Sequence, residues 1–180
     1  MTMRLDWPPL PTITPWHAES VGFVFTRISP TSSPVSTVFV QNLRHYVMFE
    51  ISKPVTVTKV FVMIGATQNG NVDIAIHDAQ LNLVQATGST AMGTANAIQV
   101  IDWTDLNLLP GVYFMSVCSD SATGTGFANG ASDELVLPMV EVFTQASAFT
   151  APDPAVPIMS SVASPIIFAM GLLIDDTVLS

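Results

Sequence analysis

Charge is what this chain has least of. Only 11% of its 180 residues are Asp, Glu, Lys or Arg, against roughly 25% in an average soluble protein. Basic residues are the scarcest, five against fourteen acidic ones, for a net charge of −9. A nucleic-acid partner is therefore not expected, because phosphates are held by Lys and Arg. An anionic membrane surface is disfavoured for the same reason. A single cysteine, Cys118, excludes an intrachain disulfide, and its setting in "FMSVCSD" is that of a buried structural thiol. The opening "MTMRLDWPPLPTITPW" has no apolar h-region, so a signal peptide is not expected. No stretch has a convincing amphipathic helical period.

Chemical motifs are equally scarce. There is no G-x-S-x-G, no phosphate-binding loop and no G-x-G-x-x-G; "GTGFANG" (124–130) precedes no helical pattern. His77-Asp78 ends a strand pattern, while His17 and His45 lie far off without ligand spacing. The carboxylates Asp102, Asp105, Asp120, Asp133 and Glu134 fall in loops or at strand ends, without the D-x-D-x-D-G pattern of a calcium loop. Hence no catalytic residue, no metal site and no cofactor is expected, and the chain is not read as an enzyme. The tail "VPIMSSVASPIIFAMGLLI" (156–174) is apolar, but prolines and serines interrupt it. Two short buried strands are expected there, not a membrane span.

What the chain does have is apolar residues, 49% of the total, laid out in short alternating runs. Strands are predicted over 20–28, 45–52, 55–64, 72–78, 81–89, 97–103, 112–118, 135–143 and 165–174, with loops over 29–36 and 119–134. Val47, Phe49 and Ile51 share one face. Val72, Ile74 and Ile76 share another, with Asp73, Ala75 and His77 opposite. "TQNGN" (67–71) predicts a turn, and Pro110-Gly111 suits the centre of a type II turn with glycine at positive φ. After it, residues 112–118 are apolar on both faces, as in a central strand. Trp103 follows alternating apolar residues and is expected in the core. Eight or nine short strands with frequent turns predict an all-β antiparallel sandwich over 21–180.

Residues 1–20 differ in kind. Pro8, Pro9, Pro11 and Pro15 keep the segment extended. It also carries Trp7, Leu10, Ile13 and Trp16, more apolar bulk than a solvated linker needs. We read it as an arm whose four apolar side chains anchor on a protein surface, its own or a neighbour's. "TAPDPAVP" (150–157) reads as a second proline-rich linker.

One stretch resembles a known group. Residues 54–59 (Pro54, Val55, Val57, Lys59), 74–84 (Ile74, Ile76, Asp78, Asn82, Val84) and 110–113 (Pro110, Gly111, Tyr113) are similar to the pattern of jelly-roll domains in bacteriophage virion structural proteins. The likeness covers about residues 45–120. The sequence departs from it at His77, where an aromatic is usual, at Leu81, where glycine is usual, and at Phe114, which stands for tryptophan. Carbohydrate-binding jelly rolls share much of the pattern. The resemblance implies a jelly-roll sandwich with no catalytic residues. It points to a virion component, first a homotrimeric capsid decoration (cement) protein bound to the major capsid protein or other virion proteins. The alternative it implies is a tail or head-fibre domain that binds host glycans through exposed aromatics or loop 119–134. A cellular carbohydrate-binding module is a third reading, disfavoured by the missing signal peptide.

Overall fold

A computed structural model describes residues 23–25, 35–129, 142–159 and 167–175. The arm residues Trp7, Leu10, Ile13 and Trp16 lie outside them. The described residues form strands and turns and no helix. The strands are β1 (Phe23–Phe25), β2 (Val35–Val38), β3 (Arg44–Ile51), β4 (Val55–Met63), β5 (Asn71–Asp78), β6 (Leu83–Ala86) and β7 (Thr90–Ala91). There follow β8 (Ile98–Leu108), β9 (Gly111–Ser119), β10 (Thr125–Asn129), β11 (Val142–Gln145), β12 (Ile158–Met159), β13 (Ile167–Phe168) and β14 (Met170–Asp175). No described helix is long and apolar enough to cross a membrane.

All described pairings are antiparallel. A large sheet runs β12-β11-β3-β9-β5-β6, with β7 also on β5; a second runs β1-β14-β4-β8, and a small third runs β13-β10-β2. The large and the four-stranded sheet share one core. Val47 and Ile51 of β3, Val72, Ile74 and Ile76 of β5, and Met115 and Val117 of β9 pack with Val57, Val60 and Val62 of β4 and with Met170 and Leu172 of β14. These side chains follow the period of 2 that points to one face, except that in β4 a register shift between Val57 and Lys59 brings Val57 onto the face of Val60 and Val62. Fully burying each contributes about 1.5–3 kcal/mol. The fold is thus an all-β antiparallel sandwich, as the alternation predicts. Strand β9 lies between β3 and β5 and is buried from Met115 to Ser119, the central position expected from its two apolar faces. Trp103 is half buried against the core and donates its indole N–H to the Ala86 carbonyl at 3.2 Å.

Four local expectations are corrected. Gly111 does not take positive φ. It opens β9 opposite Ile51, so the sheet ladder holds it extended, and the Tyr113 hydroxyl donates to the Leu109 carbonyl at 2.9 Å across the turn. Predicted loop 119–134 contains β10, which pairs with both β2 and β13. Its glycine is a packing requirement: a Cβ on Gly126 would lie 2.8 Å from both Phe39 and Phe168, whose rings stack at 4.2 Å. Predicted loop 29–36 likewise overlaps the start of β2. The closing strand over 165–174 is two strands, β13 and β14, which belong to different sheets. The break is Ala169, whose N–H donates to Phe127 while its carbonyl accepts from Met63. Predicted strand 135–143 overlaps only the start of β11 within the described residues.

Gly70 takes φ +76°, as the Asn-Gly turn requires. Leu81 has φ 67°, a conformation that costs a residue with a side chain roughly 1–2 kcal/mol. A glycine would take this conformation without that cost. Replacing Leu81 by Gly should raise stability by roughly 0.5–1 kcal/mol, after the greater unfolded-state entropy of glycine is subtracted. Urea denaturation reads this as a higher midpoint; a lower one would show that the half-buried leucine side chain outweighs the backbone strain.

Candidate functional site

The most built polar constellation sits on the outer face of the large sheet. Strand register places Arg44, Tyr46, Ser116, Cys118, Asp73, Ala75 and His77 on that face: Tyr46 pairs with Ser116, Ser116 with Ala75 and Cys118 with Asp73, while Arg44 and His77 lie two residues along from Tyr46 and Ala75. Arg44 and Asp73 are both fully buried. The Arg44 Nη2 to Asp73 Oδ2 distance is 2.5 Å. Arg44 also donates to the Ser116 hydroxyl at 3.0 Å and to the Ala148 carbonyl at 3.0 Å. Asp73 accepts from the Ala151 N–H at 2.6 Å and from the Thr87 hydroxyl at 3.2 Å. A buried ion pair is tolerated when hydrogen bonds satisfy its remaining donors and acceptors, as these do.

What buries the pair is the segment expected to be a linker. Residues 148–157 run back over the outer face as a strap. Besides Ala148 and Ala151, Pro152 places its carbonyl 3.1 Å from His77 Nε2. Asp153 Oδ1 accepts from Leu83 N, Ala155 N donates to the Leu81 carbonyl, and Val156 N donates to Gln145 Oε1, which also accepts from Tyr46. The linker expectation fails because the prolines remove donors from the strap while the N–H groups of Ala151, Ala155 and Val156 find acceptors in Asp73, Leu81 and Gln145. The second face of β5 is therefore a polar layer sealed by the protein's own chain.

This layer is chemically quiet. Burial pushes the Cys118 thiol up to about 12, which disfavours the reactive thiolate. Burial also raises the Tyr46 phenol and lowers the His77 imidazole. Asp78 is half-buried at the end of β5 and serves the turn. It accepts from Gln80 N, Asn82 N and Asn82 Nδ2, each at 2.9 Å, and the Asn82 side chain leads in lowering its pKa. His45 points the other way, into the core, edge-on to Phe168 at 5.1 Å.

The loop carboxylates are scattered. Asp102 pairs with Lys59 at 3.0 Å in the open. Asp105 is exposed on β8. Asp120 accepts from the backbone and side chain of Asn71, each at 2.7 Å. Asp133, Glu134 and His17 lie outside the described residues. Among the described residues, no group of three or more His, Cys, Asp or Glu side chains converges as metal ligands would.

The open chemistry of the surface is apolar. Ile98 is 58% exposed, Val100 49% and Leu109 66% along and after β8, and Val35, Val38 and Val40 are half exposed on and after β2. Both strands have a hydrogen-bonded neighbour on only one side among the described residues. Sequence reading missed these exposed positions because alternation marks two faces without saying which is covered. It noted Asp73 and His77 on one face but not Arg44, whose partners are 29 to 104 residues away. Comparisons of the chain with protein-family models, with curated proteins and with solved structures each give no match.

Proposed function

We propose that the chain is a bacteriophage virion structural protein, a capsid decoration (cement) protein that stabilises the head by binding across capsid subunits. The observation that carries this reading is the pairing of a sealed polar layer with an open apolar surface. The best-built polar groups are buried under the protein's own strap, while Ile98, Val100 and Leu109 face solvent in a chain with only 11% charged residues. Such a surface suits burial against other subunits. The jelly-roll resemblance of residues 45–120 supports the same reading. In it the N-terminal arm straps onto an adjacent subunit, the assembled unit is a homotrimer and the major capsid protein is the partner.

Deleting residues 1–20 should abolish cosedimentation with capsids that lack the protein, while far-UV circular dichroism still reports a folded β-protein. Undiminished binding by the truncated chain would remove the arm from the mechanism. Light scattering should give a trimer mass for the full chain. The glycan-binding alternative relies on loop 119–134, where Asp120 and Thr123 already bond to Asn71 and Asn69, so we place it second.

A further inference from the structure

We propose that residues 152–156 of the strap are an acid-released cover, which lies on the large sheet while His77 is neutral and lifts when His77 takes up a proton. The inference concerns a movement within the chain and stands apart from the virion reading.

The contact is built around one ring. His77 is next to last in β5 and fully buried. Its register neighbours are Phe114 on β9 and Leu83 on β6, and the Tyr46 ring lies 5.4 Å away. The strap adds the Pro152 carbonyl, 3.1 Å from Nε2. A carbonyl only accepts, so this bond assigns the hydrogen of the neutral ring to Nε2 and leaves Nδ1 bare. Nδ1 is buried and has no hydrogen-bond partner among the described residues.

Protonation puts a hydrogen on Nδ1. With the strap in place, the imidazolium would be a buried charge with one N–H lacking an acceptor. The surrounding charges do not rescue it. Arg44 on β3 repels it. Asp73 on β5 attracts it but already accepts from Arg44, Thr87 and Ala151. Asp153 on the strap attracts it but accepts from Leu83 N, and Asp78 is taken up by Gln80 and Asn82. Tyr46 and Cys118 share the face and stay neutral, since burial raises both. Burial therefore dominates. With Arg44 it outweighs Pro152, Asp153 and Asp73 and holds His77 below its ordinary 6.5.

A lifted strap lets water reach the ring and returns it toward 6.5. The lifted form thus binds the proton at a higher pH than the closed one. Closure is fully favoured above pH 6.5 and weakens as the pH falls below it, toward the depressed value. The strap yields before the sheet does. Residues 152–156 hold the sheet through the Pro152 carbonyl, the Asp153 carboxylate and the N–H groups of Ala155 and Val156. Strand β5 is laddered on both sides, to β9 and to β6 and β7. Upstream, Ala148 and Ala151 stay tied to Arg44 and Asp73.

Hydrogen exchange of the full chain, followed by mass spectrometry, tests this. Peptides from the strap and from β5 and β9 are compared at pH 7.5 and 5.5, each rate divided by its intrinsic value at that pH. One group of ordinary pKa 6.5 can shift closure by at most about tenfold over this interval. Opening of the strap peptide is expected to rise by more than about twofold while the β5 and β9 peptides hold steady. A smaller rise would overturn the proposal. So would equal rises in strap and strands, which would mark global unfolding through His45. His77→Gln keeps an N–H donor for Pro152 and does not titrate, so its strap should open equally at both pH values. A variant that keeps the parent's pH dependence would remove His77 from the device. The comparison within the parent chain stands without the variant.

Discussion

Replacing Arg44 by Met is expected to lower the unfolding free energy by roughly 3–5 kcal/mol, the usual cost of removing one partner of a buried ion pair. The methionine keeps most of the apolar stem, so the loss is electrostatic and not a cavity. Asp73 would be left fully buried with only the Ala151 N–H and the Thr87 hydroxyl as partners. Ser116 and the Ala148 carbonyl would lose a donor in the same step. The strap over residues 148–157 should loosen with the pair, because two of its bonds end on these side chains. Guanidinium denaturation at pH 7 measures the first effect, and limited proteolysis within the strap measures the second. Adding Asp73→Leu to Arg44→Met should cost much less than the sum of the two single changes, since the stranded charge is then gone. A single-variant loss below about 1 kcal/mol would show that the pair is not the latch described here.

A second large effect is acid destabilisation through His45. Its ring is buried edge-on to Phe168, and its Nδ1 has no hydrogen-bond partner among the described residues. Burial lowers its pKa from 6.5 to about 4. The unfolded chain thus takes up a proton at a higher pH than the folded one. The stability linked to this histidine is complete above pH 6.5 and is lost as the pH falls toward 4. Between pH 7 and 4.5 the loss is about 2–3 kcal/mol. His77 is lowered by burial as well and acts in the same direction. Replacing His45 by Leu should remove about that amount from the difference in unfolding free energy between the two pH values. A variant with the same pH slope as the parent chain would assign the acid sensitivity to other groups.

The sandwich was legible because its central strands alternate. "VDIAIHD" announces one apolar and one polar face, and β5 presents Ile74 and Ile76 to the core and Asp73 and His77 to the other side. Strand β10 was not legible, since "TGFAN" has the small and polar residues of a loop. Its strand geometry comes from neighbours: β2, β13 and the Phe39–Phe168 stack that leaves room only for Gly126. The strap was hidden for a related reason. Prolines make a segment look like a linker, and nothing local in residues 150–157 says that Asp73 waits for the Ala151 N–H. The polar layer was half legible. Asp73 and His77 were visible by period, whereas Arg44 is marked by no pattern, and only folding brings it to Asp73.

The strap also sets an order of events. Arg44 and Asp73 leave the ribosome long before the residues that roof them, the Ala148 carbonyl being 104 positions after Arg44 and Ala151 78 positions after Asp73. Contacts so distant along the chain close slowly, because loop entropy is lost before they form. Throughout synthesis of the intervening strands, the arginine and the aspartate keep their water. The polar layer becomes dry only when the final third of the chain returns over it, so a nascent chain stopped short of residue 148 lacks every strap group that seals the pair.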